Sequence, residues 1–215
     1  MTIGGPTADS EDQLRSDTTR LEALSDGVIA VAITLLVLDL AVPHVGDASL
    51  GEALVAQWPS FAAYVTSFLV IGILWMNHHA LFRQIRYVNR ALMLLNLVFL
   101  MLVVAIPFAT SLAADYLIEP GPNAKLAMAI YSVLGLAIAV VMVLLWRYVL
   151  DRPELLEPNV DVQAARRFLP RFSLGIVVYA VLIGVSFLNA VVALGGNFLV
   201  ALYYAFDQLT KKSVG

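Results

Sequence analysis

The feature that most constrains this chain is a series of apolar segments, each long enough to cross a lipid bilayer. A membrane-spanning helix needs about 20 consecutive, mostly apolar residues. Six segments meet this requirement, at residues 21–41, 53–82, 88–116, 124–150, 168–189 and 191–210. Only 13% of the residues are charged, about half the share that is typical of soluble domains. The chain is therefore predicted to be an all-α integral membrane protein with six transmembrane helices.

The last two segments come from one run between residues 172 and 206 that contains no charged residue. As a single helix this run would be about 50 Å long, which exceeds the hydrocarbon core of about 30 Å. A turn at Asn189, or at the Gly-Gly-Asn sequence of residues 195–197, would divide the run into two spans.

The distribution of basic residues predicts the orientation, because cytoplasmic loops carry an excess of Arg and Lys. Basic residues precede the first span and follow the second, fourth and sixth spans: Arg15, Arg20, Arg83, Arg86, Arg90, Arg147, Arg152, Arg166, Arg167, Arg171, Lys211 and Lys212. Six spans with both termini in the cytoplasm place all of these inside, whereas five spans would leave the last two outside. We predict a disordered cytoplasmic tail over residues 1–19, a six-helix domain over residues 20–210 and a cytoplasmic tail over residues 211–215.

Four residues of the first span form a stripe along one face of its helix. Val31, Thr34, Leu35 and Leu38 are spaced at i, i+3, i+4 and i+7, so their side chains project in the same direction. Such a stripe can be an ordinary seam between packed helices, or it can line the pore of a symmetric oligomer. Thr34 carries the only hydroxyl of the stripe, and that hydroxyl can simply bond to a carbonyl of its own helix.

Polar residues also gather near the predicted cytoplasmic ends of the first two spans. Ser25 and Asp26 lie on the first, and Trp75, His78 and His79 lie on the second. A carboxylate inside an apolar span is costly without a partner, so we expect these side chains to satisfy one another and to join the helices. Helical phase directs Asp26 away from the stripe, and Ser25 or Asp26 is predicted to cap the start of the first helix.

No catalytic or metal-binding pattern is present. Cysteine is absent, which excludes disulfides and thiolate nucleophiles. The Ser-Asp-Gly sequence of residues 25–27 lacks the preceding glycine of a nucleophile elbow. Adjacent histidines project about 100° apart on a helix, so His78 and His79 do not form a metal site by themselves. We expect no enzymatic activity, no cofactor and no nucleic-acid partner.

Residues 20–27, Arg-Leu-Glu-Ala-Leu-Ser-Asp-Gly, followed by Thr34, resemble the signature of the bacterial members of the transmembrane protein 175 family of potassium channels. Leu24 stands where that family usually has Phe. The second span, with Ser67-Phe68-Leu69, Trp75 and His78-His79, and the third, with Asn96 and Pro107-Phe108, are also similar to the family. The similarity covers most of the chain and is strongest up to about residue 116.

The resemblance implies a homotetramer in the bacterial cytoplasmic membrane, in contact with lipid, whose four first helices line a potassium-selective pore. It places a hydrophobic constriction at Val31, Leu35 and Leu38, with a selectivity ring at Thr34 between them. Arg20, Ser25, Asp26, Trp75 and His78 match the polar network that packs the inner ends of the helices. Asp39 is expected near the outer mouth, where its charge would attract cations.

Two other functions remain open from the sequence. The first is a proton channel or proton-coupled transporter that uses Asp26 and the pair His78 and His79. The second is a small structural or lipid-binding membrane protein in which the stripe only packs helices. Ion flux under potassium, sodium and proton gradients separates the three.

Overall fold

A computed structural model describes residues 8–43, 49–117 and 121–212, and these residues are almost entirely helical. The helices are α1 (Ala8–Leu35), α2 (Leu50–Ala56), α3 (Trp58–Phe82), α4 (Arg90–Val104), α5 (Ile106–Tyr116), α6 (Pro122–Leu150), α7 (Val162–Leu188) and α8 (Ala190–Lys212). Short 3-10 turns follow α1 at Leu36–Asp39 and α6 at Pro153–Leu155. Apart from one isolated bridge between Ile85 and Leu156, no β-structure occurs in these three ranges.

Among the described residues, four helical segments are long and apolar enough to cross a membrane: Asp17–Asp39, Trp58–Phe82, Arg90–Tyr116 and Pro122–Leu150. Two further apolar segments, Ser173–Leu188 and Ala190–Phe206, are shorter. The all-α membrane architecture predicted from the sequence is therefore confirmed, and the full count of six spans stays a prediction.

The last apolar run turns at Asn189, the first of the two predicted positions. Asn189 has an extended backbone with φ −149° and ψ 115°. Its side-chain oxygen accepts hydrogen bonds from the N–H groups of Val191 and Val192, at 2.9 and 3.1 Å. The side chain thus satisfies free N–H groups at the start of α8, whereas residues 195–197 lie inside that helix.

Two of the predicted spans are interrupted. Residues 88–116 are divided at Ala105 into α4 and α5, because Pro107 has no N–H to donate and its ring disturbs the preceding turn. Residues 53–82 begin with the separate short helix α2, whose capping box joins Ser49 and Glu52. The hydrogen bonds from Ser49 hold the pKa of the Glu52 carboxyl below its ordinary value.

The predicted disordered tail over residues 1–19 is wrong for residues 8–19, which form the beginning of α1. Thr18 is buried and donates a hydrogen bond to the backbone carbonyl of Arg86, at 3.2 Å. Neither Ser25 nor Asp26 caps a helix, because both lie in the interior of α1. At the other end, α8 includes Lys211 and Lys212; residues 1–7 and 213–215 lie outside the described ranges.

The core lies where α1, α3, α4 and α6 pack together. Helix α1 and the 3-10 turn that follows it contribute one face to the core, through Leu21, Ile29, Ala32 and Leu36. Helices α6 and α7 approach closely at Gly135, where a Cβ atom would overlap the ring of Tyr179. One face of α1 is therefore buried in the interior of the subunit by these residues, and the opposite face is exposed.

Candidate functional site

The exposed face of α1 carries the stripe predicted from the sequence. Val31, Leu35 and Leu38 are 57%, 39% and 74% exposed, and Thr34 is exposed as well. On the opposite face Ile29, Ala32 and Leu36 are at most 2% exposed. The stripe is therefore not a packing seam within one chain. Its apolar side chains can face lipid, another chain or a pore.

The 3-10 turn that follows α1 places Leu38 on the same side as Leu35. After Leu35 the helix tightens into the 3-10 turn Leu36–Asp39. A 3-10 helix has three residues per turn, so Leu38 follows Leu35 on the same side. Asp39, which closes this turn, is half-buried, and one of its carboxylate oxygens is enclosed without a hydrogen-bond partner in the described ranges. The position of Asp39 at the outer mouth of a pore stays a prediction.

The Thr34 hydroxyl bonds to its own helix. It donates to the backbone carbonyl of Val31, three residues earlier, at 2.9 Å, as Thr side chains in helices often do. This bond uses the hydroxyl proton only. The lone pairs of the hydroxyl oxygen remain free to interact with a cation. Backbone bonding and cation contact are therefore compatible at Thr34.

A buried polar chain joins α1, α3 and α4. The Ser25 hydroxyl donates to the Leu21 carbonyl at 2.8 Å and accepts from the Asn96 side-chain nitrogen at 2.9 Å. The Asn96 side-chain oxygen lies 2.8 Å from Nε2 of His78. All three side chains are fully buried. Since an amide oxygen can only accept, Nε2 of His78 carries the proton.

His78 is also held by aromatic contacts. Its ring stacks on Phe82 and Phe99, with ring centroids 4.2 and 5.3 Å away. Ser25 and His78 are predicted members of the polar network, whereas Asn96, which joins them, is not. A single amide within the apolar helix Arg90–Val104 was the available signal.

A second polar cluster lies beside this chain and is more accessible. The Trp75 indole N–H donates to Asp26 Oδ1 at 2.9 Å. The Trp75 ring stacks on His79, at 5.7 Å between ring centroids. Nδ1 of His79 lies 3.1 Å from Oε1 of Glu22. The residues predicted to form one network thus occupy two neighbouring clusters, and Asp26 faces α3 and not the stripe side.

Arg20 belongs to neither cluster. Its side chain is exposed and forms no hydrogen bond or ion pair with the rest of the described chain. It lies on the same side of α1 as Gly27 and the stripe, because positions 20, 24, 27 and 31 follow the helical repeat. Within one chain the structure therefore does not join Arg20 to Asp26.

Nearer the start of α3 lies a third buried cluster, which the sequence does not predict. Ser67 lies 2.9 Å from the Tyr131 hydroxyl, and Thr110 donates to Ser67 at 2.7 Å. These bonds join α3, α5 and α6 next to the break at Ala105. Hydroxyl groups on three helices far apart in sequence meet here, which no spacing within one helix could reveal.

Comparison with known proteins shows that the chain is similar to one family of channels. Residues 20–107 match the family model described as the endosomal/lysosomal potassium channel TMEM175. A potassium channel of Streptomyces collinus is 47% identical over 195 residues, which cover 90% of this chain and 94% of that protein. The human endosomal/lysosomal proton channel TMEM175 is 34% identical over 150 residues, which cover 66% of this chain but only 30% of the human protein.

Among solved structures, the chain is similar to the crystal structure of a lysosomal potassium-selective channel TMEM175 homologue from Chamaesiphon minutus. The two superpose with a TM-score of 0.79 at 37% sequence identity. The match covers 89% of this chain and 98% of that one. The similarity therefore extends over nearly the whole of both chains.

Proposed function

The chain belongs to the TMEM175 family, and on that premise we propose that it forms a potassium-selective cation channel. Its bacterial relatives of similar length are named potassium channels. The family is one of ion channels and not of enzymes, and we assign no catalytic residue. We further propose that all six apolar segments cross the bacterial cytoplasmic membrane, with both termini in the cytoplasm.

One observation carries the proposal: the stripe of α1 is apolar, regular and left uncovered by its own chain. In a homotetramer four stripes would surround the symmetry axis. Gly27, on the same side of α1, has no atom within 4 Å of the place where a Cβ would lie, so nothing in the subunit blocks the approach of a neighbour. An exposed apolar face of a membrane helix can also contact lipid, and the potassium channels to which the chain is similar favour a channel wall.

Conduction would depend on side chains. The sequence contains no Thr-Val-Gly-Tyr-Gly filter, so a stack of backbone carbonyls does not replace the hydration shell of the ion. Rings of Val31, Leu35 and Leu38 would close the pore by excluding water, and a small rotation or bend of α1 would open it. The Thr34 oxygens would replace part of the hydration of potassium between these rings.

Ion flux into liposomes tests the proposal directly. Purified full-length protein is reconstituted, and potassium, sodium and proton gradients are imposed one at a time. We expect a potassium gradient to drive flux and a sodium gradient to drive less. Proton flux with no potassium present would instead favour the second candidate, a proton channel using Asp26, His78 and His79, which the name of the human relative supports. No flux under any gradient would contradict both.

Thr34→Val is expected to reduce the preference for potassium over sodium while the fold and the assembly survive. Valine keeps the shape of the side chain but removes the only oxygen of the stripe, and total conductance should also fall because the pore loses its wetting site. Bi-ionic reversal potentials of the wild type and the variant measure the change. Thr66→Val is the matched control, since Thr66 also bonds to its own helix, at 2.7 Å, but is buried in α3. An unmoved reversal potential in Thr34→Val would remove Thr34 from the selectivity mechanism.

Asp26→Asn and Arg20→Ala are expected to change assembly or open probability and to leave the potassium-to-sodium ratio unaltered. Asp26 contacts α3 through Trp75, and Arg20 lies on the uncovered side of α1, where a neighbouring subunit would contact it. The tetramer fraction by size-exclusion chromatography and the reversal potential are both measured. A changed ratio in a fully assembled variant would place these residues in the ion pathway.

A further inference from the structure

Three potential metal ligands meet in the accessible polar cluster, near the predicted cytoplasmic end of the first span. The ligand atoms of Glu22, Asp26 and His79 all lie within 4.8 Å of one another. Glu22 and Asp26 are four residues apart on α1 and therefore share a face, and His79 reaches them from α3. Each side chain is partly exposed, so an ion in solution can enter the cluster.

One pair of ligand atoms has the spacing that a bound ion requires. Zn²⁺ binds imidazole nitrogen and carboxylate oxygen at about 2.0–2.2 Å, which separates two ligand atoms by roughly 3–3.5 Å. Nδ1 of His79 and Oε1 of Glu22 are already 3.1 Å apart. The ligand atom of Asp26 lies within 4.8 Å of the other two, so the three would have to draw closer together around an ion.

Trp75 holds two of the three ligands in place. Its N–H donates to Asp26 Oδ1, which leaves Oδ2 of the same carboxylate free to coordinate. Its ring stacks on the His79 imidazole, with 20° between the ring planes. Groups that orient metal ligands in this way strengthen metal sites.

We propose that Glu22, Asp26 and His79 bind one divalent transition-metal ion, with Zn²⁺ as the expected occupant. The imidazole distinguishes the site from those of Mg²⁺ and Ca²⁺, which prefer oxygen ligands only. Three protein ligands leave one tetrahedral position for water. Residue spacing along α3 predicts no metal site, because two of the three ligands come from α1.

The competing interpretation is a plain ion pair between Glu22 and protonated His79. A metal site and an ion pair would both join α1 to α3, but the two predict different effects of added Zn²⁺. A metal site would bind and be stabilised by the ion, because a ligand that binds only the folded state raises its stability. An ion pair would be disrupted by the loss of Glu22 and would be indifferent to the metal.

The test is calorimetric titration of the full-length protein with ZnCl₂, using protein purified without a polyhistidine tag. We expect one Zn²⁺ per chain and a higher thermal unfolding midpoint with Zn²⁺. Glu22→Gln and His79→Gln should each weaken binding at least about tenfold, and the double variant should abolish it. The control is Glu154→Gln, which removes an exposed carboxylate outside the cluster and should leave Zn²⁺ affinity unchanged.

Failure to bind Zn²⁺, or equal affinity in the wild type and Glu22→Gln, overturns the proposal. Because Glu22 is partly exposed and glutamine keeps its shape, this variant is expected to fold, and its unfolding curve without metal verifies that. The readout is binding and not ion flux, so it succeeds or fails independently of the proposed channel function. If the chain is that channel, the ion would also fix the pore-lining helix to α3.

Discussion

Replacing Leu35 with asparagine is expected to raise basal potassium flux about tenfold or more, which corresponds to lowering the barrier by about 1.4 kcal/mol. Leu35 lies on the exposed face of α1, so the substitution opens no cavity in the subunit core. In the proposed tetramer four amide groups would replace a ring of leucines. Water would then occupy the constriction, and the cost of excluding water would no longer close the pore. Potassium efflux from liposomes measures the effect.

The control for this substitution is Leu97→Asn. Leu97 is 49% exposed on α4, so the same chemical change is made on an accessible surface away from the stripe. We expect its flux to equal that of the wild type. Leu38→Asn supplies an independent test at the next position of the stripe. Unchanged flux in assembled protein for both Leu35→Asn and Leu38→Asn would rule out the hydrophobic gate.

Asn96→Leu is expected to destabilise the folded protein by about 1–3 kcal/mol. The asparagine amide both donates to Ser25 and accepts from His78, and leucine can do neither. Nε2 of His78 would be left buried with an unpaired proton, whereas the Ser25 hydroxyl keeps its bond to Leu21. The thermal unfolding midpoint should fall by about 5 °C for a chain of this size, as followed by fluorescence-detected size-exclusion chromatography after heating.

A double variant distinguishes a lost polar bond from poor packing. His78→Phe removes the partner that Asn96→Leu leaves unpaired, and its ring would stack on the same phenylalanines, Phe82 and Phe99. The combined variant should therefore be more stable than Asn96→Leu alone, because replacing both partners by apolar groups avoids the unpaired group. A double variant as unstable as the sum of the two single variants would show that the hydrogen bond is not the cause.

The positions where the apolar segments are divided show which features of the fold local sequence signals predict. Pro107 divides the third apolar segment and Asn189 divides the last. Asn189 is one of two predicted turns. Its side-chain oxygen accepts hydrogen bonds from the N–H groups of Val191 and Val192, which explains why the chain turns there and not at residues 195–197. The polar composition of residues 8–19 predicts disorder, but these residues form the beginning of α1. Polar composition does not prevent a helix that is continuous with a stable span.

Periodicity alone predicted that Val31, Thr34, Leu35 and Leu38 share a face, because helical geometry converts spacing directly into direction. Length and apolar composition predicted an all-α membrane protein for the same local reason. Only the tertiary structure decided that this face is left uncovered by its own chain, that Asn96 links Ser25 to His78, and that Glu22 and Asp26 meet His79. These pairings join residues up to 71 positions apart. They depend on how whole helices pack, and a polar residue in one helix carries no local signal of the partner that it meets in another.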